Sequence, residues 1–146
     1  MVLLDTNILV YAADRDSTYH SIAFPIRESA ISGQLQACIS LQNLVEFYAV
    51  VTSNKRVQNP LPPEVALDEI KKYLTSDKIL KIQFNEQALE ILDQLARKYK
   101  IIAQNVFDLK IVATMLMNGV QEIVTANDSD FVQFSEIKVQ NPFKKS

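Results

Sequence analysis

The chain opens with the stretch MVLLDTN (residues 1–7), a short apolar strand that ends in a carboxylate, Asp5. A central strand of a parallel sheet is buried on both faces, so it is apolar throughout, as Val2–Leu4 is. In an open α/β sheet, ligands bind beyond the carboxyl ends of the strands. The opening stretch therefore predicts an α/β fold, and Asp5 is the first candidate for a functional site.

Strand-like and helix-like segments alternate along the rest of the chain. The patterns predict further strands at 37–39, 79–84, 122–125 and 138–140, and helices at 20–32, 41–53, 63–76, 86–99, 105–117 and, briefly, 128–134. Pro25 is expected to kink the first of these helices or to delay its start. Such alternation predicts one domain over residues 1–146, a three-layer α/β fold in which helices flank a mostly parallel sheet of about five short strands.

The composition is that of an ordinary globular protein, with 48% hydrophobic and 22% charged residues among 146. No apolar run approaches the roughly 20 residues that a membrane span needs, and the apolar start is too short for a signal-peptide core. A cytoplasmic protein with no membrane partner is therefore expected. One cysteine, Cys38, excludes an internal disulfide.

The charge pattern bears on possible ligands. A net charge of −2 argues against a generally basic nucleic-acid-binding surface, although a local patch remains compatible with it. Lys55 and Arg56, which follow the 41–53 helix, are the candidates for phosphate contacts. A single histidine, His20, and a single cysteine leave too few soft ligands for a closed zinc site. Any metal would be held by oxygen, which favours Mg²⁺ or Mn²⁺.

Each acidic candidate has a structural and a functional interpretation. Asp5 can N-cap a helix or belong to a site, and Asn7 can support a loop or orient a carboxylate. Glu46 shares a polar stripe with Gln42 and Asn43 that can simply face water. The 41–53 helix is nevertheless apolar nearly all round, so it is also expected to be buried, and its one acid would then need a charged partner.

The later acids are similarly ambiguous. Asp108 stands near the start of an apolar helix, where a carboxylate favours the helix dipole, yet it would be an isolated charge on a buried element. In the turn after the fourth strand, Asn127, Asp128 and Asp130 can each approach a metal or can simply end the strand, and Thr125 can donate a hydrogen bond to a carboxylate. The joint placement of the four acidic segments is more informative than any one of them.

Taken together, these segments resemble the PIN-domain family, and within it the VapC-type toxins of prokaryotic toxin–antitoxin pairs. The matching stretches are LLDTNIL (3–9), ISLQNLVEFY (39–48), Asp108 in its apolar helix, TANDSDF (125–131) and VQNPF (139–143). The resemblance spans almost the whole chain in the order of the family. It implies a PIN-like parallel-sheet fold, endoribonuclease activity on RNA, a cognate antitoxin and a homodimer.

The resemblance also implies a metal site that binds Mg²⁺ or Mn²⁺. Asp5, Glu46 and Asp108 match the three firmest acidic positions of the family. Asn127 and Asp130 both match the fourth, of which Asp130 is preferred as a catalytic and metal-binding residue, while Asp128 is a third choice. Asn7, Thr125, Asn127 and Asp128 are expected to support the site.

Three alternatives remain open from the sequence. The first is a non-catalytic PIN-like module that binds RNA or protein without cutting it. A haloacid dehalogenase-type phosphatase also begins with a strand and an Asp, but it would need a second Asp where this chain has Asn7. A response-regulator receiver would need an adjacent acidic pair at the end of its first strand, which is not found here.

Overall fold

The computed structural model of the chain describes residues 1–145. Within this range lie five strands, β1 (Val2–Leu4), β2 (Ala37–Ser40), β3 (Ile79–Ile82), β4 (Glu122–Val124) and β5 (Lys138–Gln140). The α-helices of the same range are α1 (Thr6–Ala13), α2 (His20–Ser32), α3 (Leu41–Val51), α4 (Pro63–Thr75), α5 (Glu86–Tyr99) and α6 (Val106–Met117). Short 3-10 turns lie at Ala103–Asn105 and Asp128–Asp130.

The predicted α/β fold is confirmed, with differences at the ends of elements. The strand predicted to reach Phe84 ends at Ile82, and the helix predicted at 128–134 is only the 3-10 turn Asp128–Asp130. Pro25 lies inside α2 without delaying its start, since the helix begins at His20. Helix α1 was anticipated only through the possible N-cap at Asp5, which caps it by accepting a hydrogen bond from the amide of Thr6.

All five strands are parallel and follow the order β3-β2-β1-β4-β5. Strand β1 is central, and its residue Leu3 lies opposite Cys38 of β2 on one side and Ile123 of β4 on the other. From β1 the chain proceeds outward to β2 and β3 and then returns to the other side for β4 and β5. Because parallel crossovers are right-handed, the helices before and after this reversal cover opposite faces of the sheet.

Two separate hydrophobic cores result from the alternation of side chains along the strands. Val2 and Leu4 of β1 pack with helices α1 to α4 in one core, whereas Leu3 packs with α5 and α6 in the other. Both faces of β1 are therefore covered, which explains why its residues are uniformly apolar. Among residues 1–145, no helix combines the length and the apolar character needed to cross a membrane.

The reversal of strand order creates a crevice between the carboxyl ends of β1 and β4. Chain segments that leave these two adjacent strands diverge to opposite faces of the sheet, and ligand sites of open α/β sheets form at such points. Asp5 directly follows β1 and Thr125 directly follows β4. The fold thus brings together two side chains that are 120 positions apart in the sequence.

Candidate functional site

A cavity of about 950 Å³ opens at the carboxyl end of the sheet, and all four candidate acids contribute to its lining. Asp5 follows β1, Glu46 projects from α3, Asp108 lies in the first turn of α6, and Asp130 ends the 3-10 turn after β4. Four carboxylates from four different elements therefore share one concave surface.

Asp5 is the most buried of these acids, with 7% of its surface exposed, and three protein groups hold its carboxylate. Its Oδ1 accepts from the amide of Thr6 at 2.8 Å. Its Oδ2 accepts from the hydroxyl of Thr125 at 2.8 Å and from the side-chain amide of Asn7 at 3.3 Å. A carboxylate offers about four lone pairs, so these bonds fix its orientation and leave part of its capacity for a ligand.

Thr125 is the centre of this hydrogen-bond network. Its hydroxyl oxygen accepts from Asn7 Nδ2 at 3.1 Å and from the amide of Asn127 at 3.0 Å, so its single proton is available for Asp5. Asn7 in turn accepts from the amide of Ala126 at 3.0 Å. These bonds tie the first turn of α1 to the turn after β4.

Electrostatics oppose the charge on Asp5 despite those donors. Burial raises the pKa of Asp5 above its usual value, and the nearby charge of Glu46 adds to the rise, while the three hydrogen bonds act in the opposite direction. A cation that approaches a free lone pair of the Asp5 carboxylate would therefore stabilise its charged form.

Glu46 is held by a second hydroxyl, that of Thr6. Thr6 Oγ1 donates to Glu46 Oε2 at 3.0 Å and accepts from Asn43 Nδ2 at 2.8 Å, so its proton must point to the carboxylate. Thr6 also donates its backbone amide to Asp5. One residue therefore positions both carboxylates.

Helix α3 differs from the expectation of an element buried all round. Glu46 is exposed, and so is Val45, with 64% of its surface accessible. The solvent-facing stripe holds for Gln42 and Glu46, whereas Asn43 is buried and forms a reciprocal capping box with Ser40 at the start of the helix. In place of the expected charged partner, Glu46 accepts hydrogen bonds from the hydroxyl of Thr6 and, at 3.4 Å, from the side-chain amide of Gln42.

Asp108 is half-buried and is not an isolated charge. Burial, followed by the charges of Asp130 and Asp5, raises the pKa of Asp108 to about 6 from its ordinary value of 3.8. All three acids line the same cavity, so Asp108 shares its surroundings with two other negative charges.

The turn after β4 contributes two of its three polar candidates to the cavity. Asn127 and Asp130 line it, but Asp128 is turned toward the C-terminal segment. Asp128 accepts from Lys144 Nζ at 2.7 Å and from Asn141 Nδ2 at 2.9 Å, and these bonds hold the pKa of its carboxyl below the usual value. The expected support from Asp128 is therefore not provided from within the cavity.

The donor chemistry of the cavity fits a hard divalent cation. Its acidic lining offers carboxylate oxygens, whereas His20 lines a different cavity and the thiol of Cys38 is buried, with a pKa raised to about 12. Among residues 1–145, no three Asp, Glu, His or Cys side chains already stand in an arrangement that would hold one ion. The carboxylates must therefore draw closer together to share a cation.

Several lining residues were not predicted from sequence patterns. Phe84, Phe107 and Lys110 face the cavity, because β3 ends before Phe84 and the first turns of α6 lie at the rim. Of the two cations proposed for phosphate contacts, Arg56 lines the cavity and Lys55 does not. The sequence signal that could have pointed to this rim is the aromatic residue Phe107 directly before Asp108.

Comparison with known proteins gives consistent relationships over the full length. The family model described as PIN domain matches residues 2–137. Ribonuclease VapC24 of Mycobacterium tuberculosis is 27% identical over 143 residues, 97% of each chain, and Ribonuclease VapC48 of the same organism is 26% identical over 139 residues, 95% of each chain. A toxin-antitoxin complex from Klebsiella pneumoniae contains a chain with a TM-score of 0.66 at 20% identity, covering 99% of this chain and 100% of that one.

The central position of Thr125 can be tested by Thr125→Val. This substitution keeps the shape of the side chain but removes the hydroxyl from Asp5, Asn7 and Asn127, and we expect the free energy of unfolding to fall by about 1–3 kcal/mol. Urea denaturation measures the change. Thr114→Val is the matched control, since Thr114 is also buried but donates only to the carbonyl of Lys110 in its own helix. Equal losses for the two variants would contradict the role assigned to Thr125.

The raised pKa of Asp108 predicts how the stability of the folded protein depends on pH. Its ionised form is disfavoured in the folded protein, so stability falls as pH rises from about 4 to about 6. In EDTA, Asp108→Asn should therefore raise the melting temperature by about 2–4 °C at pH 7, a modest gain because solvent screens a half-exposed group. The gain should vanish near pH 4. Asp68→Asn, at an exposed position of α4, serves as the control, and a gain for Asp108→Asn that is independent of pH would contradict the assignment.

Proposed function

The chain belongs to the PIN domain family, and we propose that it is a metal-dependent endoribonuclease, the toxin of a toxin–antitoxin pair. Two relatives that are similar over 95–97% of the chain are named ribonucleases. The proposal rests above all on one observation, the shared cavity lined by Asp5, Glu46, Asp108 and Asp130.

We propose these four carboxylates as the catalytic, metal-binding residues, with Mg²⁺ or Mn²⁺ as the ion. When bound, such a cation lowers the pKa of water and offsets the negative charge that develops on a phosphate during hydrolysis. The raised pKa values of Asp5 and Asp108 support this assignment, because burial, followed by repulsion from neighbouring acids, disfavours their charged forms, and a divalent cation would stabilise those forms. Asn127 is a neutral oxygen donor at the same rim.

The remaining residues position these acids. Thr125 and Asn7 orient Asp5, and Thr6 orients Glu46, through the hydrogen bonds described above. Hydrogen-bonded partners of this kind keep ligand oxygens directed at a common point. In the hydrolysis, water attacks phosphorus and gives up a proton to solvent or to a carboxylate, the bond from phosphorus to the leaving oxygen breaks, and that oxygen takes up a proton from solvent. No histidine is needed, in agreement with the lining of the cavity.

The proposed partners follow from the same family relationship. RNA is the substrate, and a small antitoxin protein is the regulator. The structural neighbour from Klebsiella pneumoniae, which is described as part of a toxin-antitoxin complex, supports the latter. We further propose that the chain forms a single nuclease domain that acts in the cytoplasm as a homodimer.

The phosphatase alternative is less well supported by the geometry. Position 7 is occupied by Asn7, which donates to Asp5 and Thr125 and accepts from the amide of Ala126. These bonds engage both the amide nitrogen and the amide oxygen of the Asn7 side chain in structural contacts. A non-catalytic binding module would have little use for four acids in one cavity, because phosphates are repelled by them unless a cation intervenes.

The function is tested directly by RNA cleavage with the Asp5→Asn variant. The parent protein should cleave single-stranded RNA in Mn²⁺ or Mg²⁺, stop in EDTA and recover when the ion is restored. Asp5→Asn should lower the cleavage rate by more than about 100-fold, because it removes a charged oxygen that we assign to the metal. Asp68→Asn is the matched control on the surface of α4. Equal rates for Asp5→Asn and the parent would refute the proposal.

The fourth acid can be identified by comparing two neighbours in one turn. Asp130 lines the cavity, whereas Asp128 pairs with Lys144. Asp130→Asn should therefore lower the cleavage rate by about 10–100-fold, while Asp128→Asn should leave it within about twofold of the parent. A larger loss from Asp128→Asn than from Asp130→Asn would reverse the assignment.

A further inference from the structure

An aromatic side chain stands exposed at the rim of the acidic cavity. Phe107, in the first turn of α6 beside Asp108, exposes 64% of its surface and belongs to neither hydrophobic core. Neighbouring α6 residues such as Leu109 and Val112 are fully buried, so the helix did not need an exposed ring to pack against the sheet. What distinguishes Phe107 from the other exposed apolar side chains is that its aromatic ring lines the cavity that holds the four acids.

Cations and a second aromatic ring line the same cavity. Phe84 is half-buried, and the ammonium of Lys110 lies 5.3 Å from the centre of its ring. Arg56 contributes from the segment after α3. Neither Lys110 nor Arg56 forms an ion pair with a carboxylate among residues 1–145, so both positive charges remain available.

This combination matches the chemistry of single-stranded RNA. Unpaired bases present π-faces that stack on aromatic side chains, whereas bases inside a duplex are already stacked on their neighbours. Phosphates of the same strand are attracted to lysine and arginine. A carboxylate cavity alone would repel that backbone, so positive groups and a stacking surface at its edge have a clear function in holding the strand.

We propose that Phe107 stacks on an unpaired nucleobase adjacent to the phosphodiester that is cleaved, while Lys110 and Arg56 contact the flanking phosphates. The inference rests on the ribonuclease function proposed above and makes it more specific. It names Phe107 as the residue through which the protein holds an unpaired base of its RNA substrate. Phe107 is a substrate-binding residue in this scheme and takes no part in proton transfer.

The test compares two probes that share a backbone and differ in their bases. One is a short fluorescein-labelled single-stranded RNA, and the other is a labelled ribose-phosphate chain of equal length without bases. Dissociation constants are measured by fluorescence anisotropy in Mn²⁺, with Asp5→Asn as the background so that neither probe is cut. Phe107→Ala should raise the dissociation constant for RNA by about tenfold, within a range of roughly 5- to 150-fold that corresponds to ~1–3 kcal/mol of stacking.

The controls separate stacking from other effects of the substitution. Binding of the base-free chain should change by less than about twofold in Phe107→Ala, and Phe107→Trp should restore RNA binding. Lys110→Ala should weaken both probes alike, because it removes a phosphate contact. Leu89→Ala, which shortens an exposed side chain of α5 outside the cavity, should affect neither probe.

Two outcomes would overturn the stacking proposal. One is an equal effect of Phe107→Ala on both probes, including no effect on either. The other is conversion of a dimer to a monomer by Phe107→Ala in light scattering, which would assign the ring to a contact between two copies of the chain. Cleavage of RNA by the parent protein is measured in parallel. If the parent does not cleave, the ribonuclease function itself fails, whereas cleavage without base-dependent binding refutes only the stacking.

Discussion

Burial of carboxylates in a shared cavity, together with their mutual repulsion, is the constraint on which the site depends. Asp5 is almost fully buried, and Asp108 experiences the charges of both Asp5 and Asp130. Bringing such groups together costs free energy, which the rest of the fold must supply through its two hydrophobic cores. A natural sequence retains an arrangement of this kind when a ligand of opposite charge compensates it, and oxygen donors favour a hard divalent cation.

The fold enforces this arrangement at the centre of its sheet. Asp5 follows the central strand of a five-stranded parallel sheet, and its neighbour Thr125 follows the adjacent strand at the reversal of strand order. Two threonine hydroxyls then direct their single protons to carboxylates, Thr125 to Asp5 and Thr6 to Glu46. Each hydroxyl accepts from a side-chain amide, Asn7 or Asn43, which leaves it no other orientation. The acids are therefore held by neutral donors that a cation need not displace.

The walls of the cavity also carry groups that could contact the proposed RNA substrate. Arg56 and Lys110 add positive charge at its walls, and the exposed ring of Phe107 provides an apolar surface beside the acids. In the proposed function, the acids would bind the ion, the cations would contact the phosphate backbone and the aromatic face would stack on a base, and an RNA strand presents the groups complementary to all three.

Much of this organisation could be predicted from the sequence because it depends on local patterns. The apolar strands, the helical periodicity and the position of Asp5 after β1 are legible without coordinates, and both the capping role of Asp5 and its place in the cavity proved compatible. The alternation of strands and helices likewise predicted the parallel sheet.

The remaining features depend on tertiary contacts. Asn43 and Glu46 lie three residues apart on α3, yet one is buried against Thr6 and the other faces the cavity, a difference set by where α1 packs. Asp128 and Asp130 are equivalent by composition, and only the C-terminal residues Asn141 and Lys144 distinguish them. Phe84 could not be placed at the rim because β3 ended two residues earlier than its apolar pattern indicated, whereas Arg56 was anticipated as a phosphate contact and does line the cavity.

Metal binding by the acidic cavity is measured by an anomalous difference map from crystals soaked in Mn²⁺. We expect a strong peak in the cavity, between the carboxylates of Asp5 and Asp108, with the side chain of Glu46 or Asp130 completing the oxygen ligands. This expectation would be contradicted by a map with no peak in the cavity, or with peaks only at surface acids such as Asp68, under conditions in which the crystals take up the ion.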